Sequence, residues 1–217
     1  MVTWPEACAR NRPMTTPLIF LLSPAHCGGK RAALLTRPAA AFDLAQRFQS
    51  PHGAPLGEVF SFLSGLYFRG KLAYAQRFAR APASDPGTLV ITSSRGIVPP
   101  QARLTPTLLE EFAQTPIDLR EPAYLEPLIT SVTALTDRAP LESRFVLLGS
   151  VASGKYVRPL LSILGDRLLF PPAFAGMGDM QRGSLLLRSA TEEVELEYRP
   201  VAGAILSRAA RSTERIR

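Results

Sequence analysis

Residues 23–32, "SPAHCGGKRA", put an imidazole, a thiol, two glycines and two cations within one turn of chain. Histidine can act as a base or a hydrogen-bond donor near neutral pH. Adjacent glycines let backbone N–H groups approach an anion, and a helix opening at Lys30 and Arg31 would turn its N-terminus to the same spot. His26 is therefore a candidate base. Cys27, Gly28, Lys30 and Arg31 are candidate anion-binding residues. A Cys27–His26 nucleophile pair is disfavoured, because sequence neighbours seldom face each other and no orienting third group follows. A plain strand-to-helix turn with a basic first helical turn would read the same way.

Three further loops carry comparable chemistry. "SSRGIVPP" at 93–100 offers Ser94 and Arg95, with Gly96 free to take a positive φ. "GSVASGKY" at 149–156 fits the G-x-x-x-x-G-K phosphate loop, but Tyr156 stands where the magnesium-binding Ser or Thr belongs. An NTP-hydrolysing loop is disfavoured on that ground, while an anion contact through Lys155 is kept. "PPAFAGMGDMQRGS" at 171–184 reads as a glycine-rich pocket wall or lid. Within it, Asp179 is a candidate general base and Arg182 a candidate anion-binding residue. Each loop has its bland alternative, an ordinary polar connection.

The elements that must hold these loops are marked by 20 prolines and by apolar runs. Continuous apolar stretches at Leu18–Leu22, 89–92, 145–148 and 167–170 read as buried strands. Helical patterns occupy 39–48, 58–78, 105–112, Pro122–Arg138 and 153–164. Thr105 is placed as N-cap with Pro106 at the first helical position, and Pro159 as a break or kink. The segments 183–189 and 194–199 read as a C-terminal antiparallel hairpin. Alternating apolar strands and helices predict an α/β fold: one mostly parallel sheet with helices on both faces, plus that hairpin. Ligands of such sheets bind beyond the carboxyl ends of the strands, where the four loops lie.

The longest helical pattern contains "SGLYFRGKLAYAQRF" at 64–78. Its apolar stripe through Val59, Phe60, Leu63, Tyr67, Tyr74 and Phe78 faces a core, while Arg69, Gly70, Lys71 and Arg77 fall away from it. A mid-helix glycine costs about 1 kcal/mol against alanine, so Gly70 implies close approach of a ligand or another backbone.

The chain has 217 residues and a formal net charge of +7. Only three basic residues are Lys, so 22 are Arg, the side chain suited to bidentate phosphate and carboxylate contacts. They are scattered, as GC-rich coding would also leave them. Two cysteines make neither a disulfide framework nor a zinc site. No cofactor or metal is expected, since no cluster has ligand spacing. "LIFLL" is too short to cross a membrane and lacks the flanks of a signal peptide, so a reducing cytoplasm is the expected compartment. Residues 1–13 read as a disordered extension, or as lying upstream of a natural start at Met14. Residues 14–201 read as the single domain, and 202–217 as a basic tail.

"SPAHCGGKRA", "SGLYFRGKLAYAQRF" and "ITSSRGIVPP", followed by a "VLLG" strand, occur in that order. The chain thereby resembles a group of small bacterial α/β domains of unknown function with the pattern SCGKKK, then LYxGxLFRKxxxYAE, then LSAKxGLL. The likeness spans about residues 18–165, and "GMGDMQRG" has no counterpart in it. That group looks similar in fold to the uracil-DNA glycosylase superfamily, although this chain lacks a GQDPY-like motif and an HPS loop. The resemblance implies a nucleobase- or nucleic-acid-related role. It would place Cys27, Gly28, Lys30, Tyr67, Arg69, Lys71 and Arg95 at the site.

Three functions stay open from these residues. An enzyme acting on a nucleotide, nucleobase or nucleic acid would gather His26, Arg95, Lys155 and Asp179 around one cavity. A non-catalytic module for nucleic acid or another anionic partner would show a continuous basic face. A subunit of a larger complex would expose an apolar patch near Met177 and Met180.

Overall fold

The computed structural model of the protein describes residues 16–81, 85–151 and 154–203. The expected extension 1–13 and the tail beyond residue 203 lie outside them. The first strand, β1 (Leu18–Leu22), is buried at every position, as a central strand between two covered faces must be. Two short helices follow, α1 (Lys30–Thr36) and α2 (Asp43–Gln49), and then the two-residue strand β2 (Ala54–Pro55).

The predicted helix over 58–78 is two helices. α3 (Leu56–Ser64) ends and α4 (Leu66–Phe78) begins at Gly65, whose φ of 65° breaks the helical path. Arg31 donates to the Phe62 carbonyl in the last turn of α3 at 3.1 Å, and a side chain at Gly65 would collide with that guanidinium. A helix end with free carbonyls and a cation on it is satisfied locally.

β3 (Thr88–Ile91) and β4 (Ile97–Val98) form a tight antiparallel pair around Gly96, which takes φ 62° as its sequence allows. β5 (Arg103–Leu104) pairs with β2 as a small separate sheet that the sequence did not announce. α5 (Pro106–Gln114) starts as expected, with Thr105 Oγ1 accepting from the Leu108 N–H at 3.3 Å. α6 (Pro122–Arg138) has its expected bounds. β6 (Arg144–Leu148), α7 (Gly154–Leu164), which runs through Pro159, and β7 (Leu168–Phe170) follow.

The C-terminal hairpin is corrected. Residues Asp179–Glu192 are a helix, α8, and only Arg199–Pro200 form a strand, β8, antiparallel to β7. "SLLLRS" reads as a strand because three leucines run together. Its buried positions are Gly183, Leu186 and Ser189, a three-residue spacing that fits a helix face. The sequence pattern hid that face because two of its three members are small.

The main sheet has the order β4-β3-β1-β6-β7-β8, parallel through β3, β1, β6 and β7. Leu18, Phe20 and Leu22 of β1 point into a core shared with α1–α5 and α8, while Ile19 and Leu21 point into one shared with α6 and α7. From β1 the chain passes to β3 on one side, then crosses to β6 on the other. The topological switch therefore falls between β1 and β6, the place where ligands of open α/β sheets bind.

α4 and α8 cross at two glycines. A methyl group added at Gly70 would lie 2.6 Å from the Gly183 carbonyl oxygen, and one at Gly183 would lie 2.9 Å from the Leu66 carbonyl and Tyr67 Cα. Gly70 thus marks the approach of another backbone. Beyond α8, Tyr74 holds the C-terminal segment, accepting from the Leu196 N–H at 2.7 Å and sharing a 2.6 Å hydrogen bond with the Tyr198 hydroxyl.

No described helix is long and apolar enough to cross a membrane.

Candidate ligand-binding site

The loops after β1, β3 and β6 meet at the carboxyl edge. Between them is a cavity of about 290 Å³ whose walls include His26 after β1, Ser93 after β3 and Lys155 after β6. Phe60, Phe112 and Ile117 supply its apolar side. A shallower groove of about 480 Å³ separates α1 from α5, with Cys27, Gly28 and Glu110 on its walls. Phe112 also ties the second loop down, because its carbonyl accepts from Ser93 Oγ at 2.9 Å.

Of the four residues expected to converge, His26 and Lys155 do so. Arg95 is turned away, its guanidinium 2.7 Å from Glu111 of α5, and Ser94 donates to the other oxygen of that carboxylate. Both fasten the β3–β4 loop to α5. Asp179 is in the first turn of α8, 74% exposed and 3.7 Å from Arg182. An acid there suits the helix N-terminus, and it does not line the cavity. Arg182 donates to the Phe174 carbonyl at 3.2–3.3 Å and lies over the Phe174 ring. Arg31 caps α3, as described. Lys30, Arg69 and Gly28 are exposed.

Part of the arginine content is engaged with carboxylates. Among the described residues, Arg47, Arg77, Arg80, Arg95, Arg120, Arg138 and Arg199 each hold a carboxylate within 2.9 Å. Most of these pairs are exposed, where each contributes little stability. Asp118 shows the local effect, its carboxyl held down at about 2 by the Arg120 guanidinium. Met180 is exposed and Met177 half-buried, which by themselves make no patch.

Cys27 is buried, and desolvation pushes its thiol up to about 12. The thiolate is the reactive form, so burial disfavours reaction at Cys27 in the folded chain. Iodoacetamide at pH 8 is expected to alkylate Cys27 roughly a thousandfold more slowly in the native protein than in urea. Peptide mapping at timed quench points checks this. Equal rates would show that the thiol is not held in its buried position.

Lys71 departs furthest from expectation. The sequence places it on an open face, but it is 1% exposed, covered because α8 is a helix. Its Nζ donates to the Ser23 carbonyl at 2.5 Å and contacts Ser23 Oγ at 2.9 Å. Nζ also sits 4.6 Å and 4.9 Å from the ring centres of Tyr67 and Phe68. Among the described residues no carboxylate forms an ion pair with it. Burial draws the amine down from 10.5 to about 7, with Asp179 at the head of α8 partly opposing. Tyr67, one turn earlier on α4, is buried with its hydroxyl unpartnered. Burial raises its pKa, and the nearby Arg182 guanidinium pulls the other way. Ser23, the residue after β1, was missed in the sequence because a lone serine after a strand carries no pattern.

Gly149 follows β6 as Ser23 follows β1. A Cβ at Gly149 would lie 3.1 Å from Ser23 Oγ, so the first glycine of "GSVASGKY" leaves room for a hydroxyl. Tyr156 is half-buried, its pKa pushed up to about 12 by desolvation. Among the described residues no three His, Cys, Asp or Glu side chains are grouped to hold a metal.

Compared with protein-family models, curated proteins and solved structures, the chain matches none. The likeness to the bacterial α/β domains rests on the quoted motifs.

Proposed function

We infer that the protein binds a nucleotide or nucleobase in the cavity at the carboxyl edge of its sheet. One observation carries the reading: three loops following adjacent parallel strands bring His26, Ser93 and Lys155 opposite Phe60 and Phe112. Polar groups on one wall orient an anionic or hydrogen-bonding part, while the aromatic wall takes a flat apolar body. The motif likeness to a nucleobase-related fold points the same way, as an analogy of fold. Whether the bound molecule is also transformed is addressed by the chemistry of His26, the cavity's candidate base.

A thermal-shift series with nucleotides, free nucleobases and short DNA tests this. A ligand at a hundredfold its Kd stabilises by about 2.7 kcal/mol, which raises the Tm of a chain this size by several degrees. His26→Ala and Lys155→Ala are each expected to reduce the shift. If only DNA stabilises, and steeply less in salt, the protein is a nucleic-acid module instead. If no compound in the series moves the Tm at millimolar concentration, the reading fails.

A further inference from the structure

We propose that Ser23 and Lys71 form a nucleophile–base dyad at the switch point of the sheet, acting on esters or other activated acyl compounds. Ser23 and Gly149 are the first residues beyond the carboxyl ends of β1 and β6, the two strands that flank the switch. Ser23 Oγ and Lys71 Nζ are 2.9 Å apart, with Nζ donating and the serine O–H turned to the Leu148 carbonyl at 3.3 Å; a serine at this distance can lose its proton to the amine once the amine is neutral. Serine–lysine pairs of this kind are one variant of the triad logic.

The amine is built to be a base. A lysine charged at neutral pH has no lone pair to accept with. Lys71 is held by the Ser23 carbonyl and faces the Tyr67 and Phe68 rings of its own helix. From α8 the one charge acting on it is Asp179, which is exposed to solvent. Burial outweighs that carboxylate, and the amine titrates at about 7. When it is neutral, the Nζ–H donated to the Ser23 carbonyl remains, and Oγ–H can turn from the Leu148 carbonyl, where it donates at 3.3 Å, to the lone pair.

Two further features fit. Gly149 has no side chain where one would press on Oγ, so its backbone packs close to the buried Ser23 without crowding the hydroxyl. Tyr67 keeps a buried hydroxyl without a partner on the same face of α4, four residues before Lys71. A buried donor left unsatisfied is costly, and a developing oxyanion would accept from it.

Oγ–H passes its proton to Nζ as Oγ bonds the acyl carbon, and the carbonyl electrons move onto its oxygen. When they return, the bond to the leaving alcohol breaks, and that oxygen takes the proton from Nζ. Water then repeats the sequence on the acyl-serine, giving the carboxylic acid and restoring Ser23 and neutral Lys71.

The full-length protein incubated with an alkyl fluorophosphonate tests the dyad without any ligand for the cavity. Attack forms an Oγ–P bond and expels fluoride. Mass mapping is expected to place the label on Ser23, with a rate rising about tenfold per pH unit up to about 7 and flat above. Ser23→Ala is expected to take no label there. Lys71→Met, its fold checked by circular dichroism, is expected to lose at least a hundredfold in rate, and Gly149→Ala to lose rate by crowding Oγ. No label on wild-type Ser23 overturns the proposal, as does a rate independent of pH between 5 and 9. An unchanged rate in folded Lys71→Met does the same. Because the readout is covalent, its failure is separate from any failure of nucleotide binding.

Discussion

Lys71→Met is expected to stabilise the protein at pH 6 and to lose that advantage by pH 10. The folded amine titrates near 7 and the unfolded one near 10.5. Between those values the unfolded chain holds a proton that the folded chain lacks, so stability rises with pH across the window. Below 7 both states are protonated and the whole desolvation cost of the buried charge is present. At about 1.4 kcal/mol per tenfold change in proton affinity, that cost is on the order of 5 kcal/mol. Methionine fills the space without a charge but gives up two hydrogen bonds to Ser23, about 1 kcal/mol each. A net gain of about 3 kcal/mol is expected at pH 6, vanishing or reversing at pH 10. Urea melts of both proteins at the two pH values check it. An equal difference at both would show that Lys71 is paired or solvated.

Gly70→Ala should destabilise, against what helix propensity favours. In an exposed helix interior the change gains about 1 kcal/mol. Here the new methyl meets the Gly183 carbonyl at 2.6 Å, and backbone cannot rotate aside. Overpacking of this kind costs about 1–3 kcal/mol, and Gly183→Ala faces the same obstacle from the other helix. The double variant should cost less than the two singles added, because the helices have already been forced apart once. Denaturant midpoints for the three variants decide the matter. A stabilised Gly70→Ala would mean that α4 and α8 are not in contact there.

How far the sequence revealed this molecule differs from element to element. β1, β3, β6 and β7 are legible because a central strand is apolar on both faces and leaves an uninterrupted run. α5 and α6 are legible from Thr105, Pro106 and Pro122, since caps and first-turn prolines act locally. α8 was not, because its packing face depends on Gly183 meeting Gly70 across the fold, a contact no local window contains. The misreading of Lys71 follows from it. On α4 alone the residue sits off the apolar stripe, and only α8 makes that side an interior. For the candidate site, the loops were correctly placed at the carboxyl edge. Their side chains were not, because whether Arg95 serves a ligand or Glu111 is decided by where α5 packs.

The crossing of α4 and α8 also sets an order of events. During synthesis Lys71 leaves the ribosome long before Asp179–Glu192 exist. Until that segment docks, the amine is in water, holds its proton, and offers Ser23 a cation in place of a base. Reactivity at Ser23 then arrives with one late helix and is absent from the nascent chain.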